Sequence, residues 1–161
     1  MMHSITVTRA KRGLGSPEAW RIIKKAAAAA LKMQGVDEPC EISVTLTDDA
    51  GIREYNREFR SIDRATDVLS FPMNEFTPGE FTPDTAEYDY DTDKIMLGDM
   101  VISLEHIRAQ GEEFGHGFEH ELAYITVHSV LHLLGYDHVD EGEMKKAMRA
   151  REKAIIAEMG V

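Results

Sequence analysis

The chain has 161 residues, of which 43% are apolar, so it is long enough for one domain with a single hydrophobic core. Its formal net charge of -11 argues against a protein that binds nucleic acid through a broadly basic surface. Much of this acidity, however, lies in residues 74–94, whose prolines and glycine predict a solvated acidic loop. The average charge therefore does not describe the rest of the surface.

The single cysteine, Cys40, excludes an intrachain disulfide and is compatible with a reducing cytoplasm. The first residues have no apolar run with a cleavage-site pattern, and no apolar stretch approaches the roughly 18 residues of a membrane span. We therefore expect a soluble cytoplasmic protein with no membrane partner. Nothing in the sequence indicates an oligomeric state.

Hydrophobic periodicity predicts strands and helices in alternation along the chain. Strands are expected at residues 5–9, 41–47, 67–73 and 97–103. Helices are expected at residues 16–35, 49–59, 104–114 and 118–134, with a last one that begins near Asp140. This order predicts one α+β domain over residues 1–161, in which helices pack on a small mixed sheet of about four strands.

Two of the predicted helices have informative apolar faces. In the helix over residues 49–59, Ile52, Tyr55 and Phe59 recur at helical spacing and are expected to face the core. The helix over residues 118–134 is apolar around nearly its whole circumference, so it is expected to be buried. Histidines on this second helix would lie in a low-dielectric wall, which suits a preorganised metal site.

The same helix carries a histidine pattern that indicates a metal site. His128 and His132 are four residues apart, so their side chains point the same way on a helix. Gly135 can adopt the left-handed conformation that ends a helix, after which His138 can approach the same ion. Three protein ligands leave a tetrahedral zinc ion one open position, which suits a bound water and a metal-dependent hydrolase. The alternative is three buried histidines that donate to backbone carbonyls.

Position 129 disfavours ordinary zinc-peptidase chemistry. In the His-Glu-x-x-His motif, the glutamate after the first histidine accepts the proton of the water, whereas this chain has Ser129 there. A serine hydroxyl near its ordinary pKa cannot serve as that base. The spacing is metzincin-like, and substrates other than peptides are favoured.

Three arginines are candidates for binding an anionic substrate. Arg60 precedes the turn into the third strand, from where its guanidinium could reach a cleft and stabilise charge on a transferring phosphate. Arg57 and Arg64 would form an anion platform with Arg53 and Arg60 if the helix ran through all four. The alternative for Arg53 and Arg57 is ordinary ion pairing with neighbouring acids.

Two carboxylates are candidate partners of the metal ligands. Glu121 lies two turns before His128 and could hydrogen-bond an imidazole. Asp137 directly precedes His138 and could orient that ligand or the water. The other histidines of the chain's second half are interpreted as surface or helix-end residues, and they are His106, His116 and His120.

The run from His128 to His138 resembles the signature of the YbeY-type endoribonucleases, the bacterial rRNA maturation factors, with Ser129 where glycine is usual. Three further segments are similar to motifs of that family and follow its order, with Phe59 in place of a tyrosine. These segments are residues 56–63, 66–71 and 97–102.

This resemblance implies a zinc-dependent, single-strand-specific endoribonuclease that acts in maturation of the 3′ end of 16S rRNA and in ribosome quality control. It also implies His128, His132 and His138 as the ligands of one zinc ion per chain, and Arg60 as the important arginine of the cleft. Single-stranded rRNA and the small ribosomal subunit are the implied partners. The alternatives are a zinc-containing ribosome-assembly module without catalysis and, less favoured, a metzincin-type peptidase.

Overall fold

The computed structural model describes residues 3–137 and 142–161, and these form an α+β fold with a five-stranded mixed sheet and five α-helices. The strands are β1 (Ser4–Arg9), β2 (Cys40–Thr47), β3 (Val68–Pro72), β4 (Tyr88–Asp89) and β5 (Lys94–Ser103). The helices are α1 (Pro17–Met33), α2 (Asp49–Arg60), α3 (Leu104–Phe114), α4 (Gly117–Leu133) and α5 (Glu143–Met159). The predicted fold class is confirmed, with one more strand than expected. The predicted start of the last helix, Asp140, lies outside the described residues.

The sheet is organised around β5. On one side β5 pairs parallel with β2, which pairs parallel with β1. On the other side β5 pairs antiparallel with β3 along its C-terminal half and with β4 at its N-terminal end. Because β3 and β4 share one edge of β5, the acidic segment over residues 74–94 leaves this edge after β3 and returns to it at β4.

Helix α4 is the central helix of the main hydrophobic core. It contacts α1, α3 and α5 as well as β3 and β5. Apolar side chains on several sides of α4 are fully buried, among them Leu122, Val127, Val130, Leu131 and Leu133. The predicted burial of this helix is confirmed, and the physical reason is that neighbours cover it on most sides.

Helix α2 packs on the opposite face of the sheet. Val101 of β5 contacts Ile52 and Leu69 in a small second cluster, whereas its neighbours Met100 and Ile102 point into the main core. This alternation is that of a strand with one helix layer on each face. Phe59 was expected to face inward, but its side chain is 60% exposed. Its helical face is correct, but α2 ends one residue later, so Phe59 lies at the margin of the sheet.

The acidic segment over residues 74–94 is more ordered than a solvated loop. It includes a short 3₁₀-helix, Pro83–Thr85, and the two-residue strand β4. It also buries Phe76, which packs against Phe81 in the main core. The sequence interpretation did not identify these apolar contacts among the acidic residues.

The only cysteine of the chain, Cys40, begins β2 and is fully buried. Burial, together with the charge of Glu38, raises the pKa of its thiol to about 12. None of the helices among the described residues is long and apolar enough to cross a membrane.

Candidate active site

A cleft of about 840 Å³ opens between the end of α2, strand β3 and the C-terminal end of α4. The sequence-predicted residues that line it are Arg60, Arg64, His128, His132 and Asp137. They come from two segments that are far apart in the sequence, and the packing of both α2 and α4 against β3 brings these segments together.

His128 and His132 of α4 face each other at this cleft. Their Nε2 atoms are 3.2 Å apart, and their rings are 4.7 Å apart with an interplanar angle of 80°. Two imidazole ligands at about 2.0–2.1 Å from a tetrahedral zinc ion have nitrogens about 3.4 Å apart. The observed separation of His128 and His132 is therefore close to that of two ligands of one ion.

The turn after α4 depends on Gly135. Its φ is +102°, and a Cβ at this position would clash with the carbonyl of Phe76. The predicted positive-φ glycine at the helix end is confirmed, and it turns the chain toward Asp137. His138, the third predicted ligand, lies outside the described residues. Within residues 3–137 and 142–161, no three His, Cys, Asp or Glu side chains are grouped so that they could hold a metal ion.

Sequence interpretation missed Glu152 of α5, which hydrogen-bonds His128. The Nδ1–H of His128 donates to Glu152 Oε2, and the hydroxyl of Tyr124 donates to Glu152 Oε1 at 2.6 Å. A carboxylate at Nδ1 fixes the tautomer in which Nε2 is the metal-binding nitrogen. Burial alone would raise the pKa of Glu152, but these two hydrogen bonds and the charges of His128 and His132 together lower it.

Glu152 was missed because it reaches His128 from another helix, 24 residues further along the chain. One signal in the sequence could have identified it. Glu152 follows Met148 by four residues and precedes Ile155 by three, so it lies on the apolar face of α5. A carboxylate in that position must have a partner when the helix packs.

Glu121 is buried and does hydrogen-bond an imidazole, but that imidazole is His116 rather than His128. The His116 Nε2–H donates to Glu121 Oε1 at 2.6 Å, and Gln110 of α3 donates to Oε2 at 2.9 Å. The proposed contact with His128 is not formed, because Glu152 already occupies Nδ1 of that ring. Asp137 is exposed at the mouth of the cleft.

Arg60 lies at the cleft and is held by β3. Its Nη2 donates to the carbonyl of Ser70 at 2.9 Å, and its Cζ lies 5.8 Å from the centroid of the Phe71 ring. Sequence spacing did not indicate this main-chain contact. The contact fixes one end of the guanidinium at the wall that faces α4.

The four arginines do not form one stripe. Helix α2 ends at Arg60, and Ser61 adopts a left-handed conformation with φ +59°. Arg64 nevertheless reaches the cleft, because the side chain of Asn56 donates to its carbonyl at 3.0 Å and folds the turn back.

Arg53 and Arg57 have the ordinary ion pairs of the alternative interpretation. Arg53 pairs with Asp63 at 2.7 Å, and Arg57 pairs with Glu54 one turn earlier. Both pairs are more than half exposed. The structure therefore groups Arg57 with this solvated side of α2.

Ser129 is fully buried and connects α4 to β3. Its hydroxyl is 2.7 Å from that of Ser70, the residue whose carbonyl holds Arg60. The position that carries a catalytic glutamate in zinc peptidases therefore carries a structural hydrogen bond here. This geometry agrees with the interpretation that peptide hydrolysis is disfavoured.

Comparison with known proteins gives one consistent family. The model of the family described as endoribonuclease YbeY matches residues 5–160. The endoribonuclease YbeY of Clostridium kluyveri is 46% identical over 142 residues, which cover 84% of this chain and 86% of that protein. The corresponding protein of Caldicellulosiruptor saccharolyticus is 48% identical over 141 residues, which cover 88% and 87%. A solution structure from Thermotoga maritima is similar with a TM-score of 0.61 and 28% identity, and covers 96% of this chain and 87% of that one.

Proposed function

This chain belongs to the endoribonuclease YbeY family, and from that premise we propose that its cleft cuts single-stranded RNA with one zinc ion bound by His128, His132 and His138. One observation carries the proposal. Two imidazole Nε2 atoms converge at 3.2 Å on one wall of a cleft whose other wall holds an arginine guanidinium. When bound there, zinc supplies a Lewis acid beside the reacting phosphate.

The residues of the chain divide the remaining work. Glu152 orients His128, and the rigid packing of α4 keeps both imidazoles directed into the cleft. Arg60 offers a planar set of donors to the phosphate oxygens on which negative charge develops. Arg64 adds a second cation in the cleft for the phosphates of the RNA backbone.

We extend the proposal to the biological substrate. The chain would act in the cytoplasm on single-stranded rRNA of the small ribosomal subunit, in maturation of the 3′ end of 16S rRNA and in ribosome quality control. The similarity of residues 56–63 and 128–138 to the motifs of rRNA maturation factors supports this extension. A zinc-containing assembly module that binds rRNA without cutting it remains the second candidate, because the same arginines would serve binding alone.

Replacement of Arg60 tests the catalytic proposal. We expect Arg60→Glu to lower the rate of RNA cleavage by about 10²- to 10³-fold or more, because it removes a donor and reverses its charge. The matched control is Arg57→Glu, since Arg57 lies one turn earlier and pairs with Glu54 on the solvated side of α2. The measurement is single-turnover cleavage of a labelled RNA that spans a small-subunit 3′ end, with zinc content determined for each variant.

Arg60 also donates to Ser70, so Arg60→Glu is expected to cost about 1 kcal/mol in the free energy of unfolding. Assays are therefore run well below the melting temperature of each variant. If both variants cut at the wild-type rate, Arg60 makes no phosphate contact. If the zinc-loaded wild type binds the RNA but never cuts it, the assembly module replaces the nuclease. If the wild type hydrolyses casein and His128→Ala does not, the chain is a metzincin-type peptidase instead.

A further inference from the structure

An exposed aromatic side chain stands at the rim of the candidate active site. Phe59 stacks with Tyr55 at 6.2 Å between ring centroids and meets the edge of Phe71 at 5.6 Å. These three rings are called the aromatic ledge. Tyr55 and Phe71 hold the position of the Phe59 ring, yet 60% of this residue stays exposed to solvent. A fixed and exposed aromatic ring is a preorganised contact surface.

The aromatic ledge is continuous with the cleft. The next residue after Phe59 is Arg60, whose guanidinium lies near the ring of Phe71 and lines the cleft. Ile62 is 41% exposed and lines the cleft as well. The surface beside the two arginines of the cleft is therefore apolar and aromatic, and a ligand that fits both must combine negative charge with flat apolar groups.

We propose that Phe59 receives an unpaired nucleobase of the RNA strand whose phosphates lie at Arg60 and Arg64. This inference rests on the proposed function and deepens it. Single-stranded nucleic acid has the required combination, because its phosphates pair with arginines while its bases stack on aromatic rings. Every base has a π-face, so such a contact tolerates sequence variation.

The aromatic ledge also gives single-strand preference a physical cause. In a duplex both faces of an internal base are stacked on their neighbours, so an internal base cannot cover Phe59 unless it leaves the helix. The energy of stacking is gained only with an unpaired strand. A chain with a net charge of -11 repels RNA at long range, which makes a short-range contact of this kind more important for affinity.

The test compares variants of Phe59 on strands with and without bases. Phe59→Ala removes the ring, Phe59→Leu keeps apolar packing against Tyr55 and Phe71 without a π-face, and Phe59→Trp enlarges the face. The matched control is Phe114→Ala, since Phe114 is 59% exposed and lies at the end of α3. Circular dichroism checks that each variant is folded. Binding of the zinc-loaded proteins to a short labelled RNA is measured by stopped-flow anisotropy before the strand is cut, and a gel verifies that the strand is still intact.

We expect Phe59→Ala and Phe59→Leu to bind the intact strand about ten-fold more weakly, while Phe59→Trp and Phe114→Ala bind like the wild type. On strands with an abasic site at each position in turn, the wild type should bind about ten-fold more weakly than it binds the intact strand when the missing base is the one that meets Phe59. Phe59→Ala should bind that abasic strand as well as it binds the intact strand. The wild-type preference for single strand over duplex should also fall in Phe59→Ala.

Two results would overturn the inference. The first is wild-type affinity of Phe59→Leu for the intact strand. The second is that Phe59→Ala binds more weakly than the wild type by the same factor on the intact strand and on the abasic strand. This result would mean that Phe59 acts only through the position of Arg60. Failure of the proposed function gives a different result, since the wild type would then not cleave RNA, whatever the outcome of the binding comparison.

Discussion

The two ends of helix α4 carry similar groups in different arrangements. Each end has two histidines four residues apart and a buried glutamate that accepts a hydrogen bond from the first of them. The groups are His116, His120 and Glu121 at the N-terminal end, and His128, His132 and Glu152 at the C-terminal end. The ring centroids are 4.4 Å apart in the N-terminal pair and 4.7 Å apart in the C-terminal pair.

The difference lies in which ring nitrogen meets the carboxylate. Glu121 takes Nε2 of His116, so that nitrogen is directed toward a buried carboxylate. Glu152 takes Nδ1 of His128 and leaves its Nε2 turned toward the Nε2 of His132. His116 precedes the first helical residue of α4, yet its ring still lies beside that of His120, so the distance between the rings does not distinguish the two pairs. The comparison teaches that the spacing of two histidines indicates a candidate metal site, whereas the carboxylate partner determines which imidazole nitrogen faces that site.

The proposed difference between the two histidine pairs would be disproved most clearly if both pairs bound metal equally well. We expect His132→Ala to lose the zinc of the protein, about one ion per chain, because the remaining imidazoles cannot hold it firmly. His120→Ala should keep it. Metal analysis after dialysis against a weak chelator measures this, and zinc retained by His132→Ala would contradict the assignment.

The turns at the two ends of α4 give the next largest expected effect. Gly115 and Gly135 both have positive φ, but a Cβ at Gly115 meets nothing within 4 Å, whereas one at Gly135 clashes with Phe76. We expect Gly115→Ala to cost about 1 kcal/mol in the free energy of unfolding and Gly135→Ala about 3 kcal/mol or more. Denaturant titration of the zinc-free proteins checks this. Equal costs would mean that the acidic segment does not pack on the turn.

Replacing the glutamate beside each histidine pair is expected to give a smaller difference in zinc binding. Glu152→Gln should weaken zinc binding by about 10- to 100-fold, because the charged partner of His128 is lost, whereas Glu121→Gln should leave zinc affinity unchanged. Competition with a chromogenic chelator provides the measurement. Equal zinc affinity in the two variants would remove the orienting role of Glu152.

The lowered pKa of Glu152 predicts a pH dependence with a definite sign in the zinc-free protein. The folded state lowers this pKa below its ordinary value of 4.5, so the carboxylate stabilises the fold fully above that pH. This contribution is lost as the pH falls through the lowered value. The difference in stability between wild type and Glu152→Gln should therefore shrink only in acid.

The sequence predicted those parts of the structure that depend on local spacing. The strands with clear alternation, the buried helix α4 and the helix-ending Gly135 follow from periods of two and of three to four residues and from backbone sterics. Strand β4 was missed because two residues, Tyr88 and Asp89, contain no period.

The rest of the candidate site depends on contacts between elements, which local spacing does not specify. Glu152 meets His128 only because α5 packs beside α4. The helical period of α2 correctly predicted which face carries Phe59. It could not predict that the sheet ends beneath this residue, so the exposure of Phe59 was unexpected. Arg60 likewise gained its partner Ser70 from the adjacent strand.

The burial of Cys40 has a practical consequence for labelling chemistry. Maleimides and iodoacetamides need an accessible thiolate, and the folded chain offers neither access nor ionisation at its only cysteine. The native protein should therefore give almost no background with these reagents. A single cysteine introduced at Tyr90, which is 85% exposed, would carry one dye on the acidic segment and report how this segment responds when RNA is added.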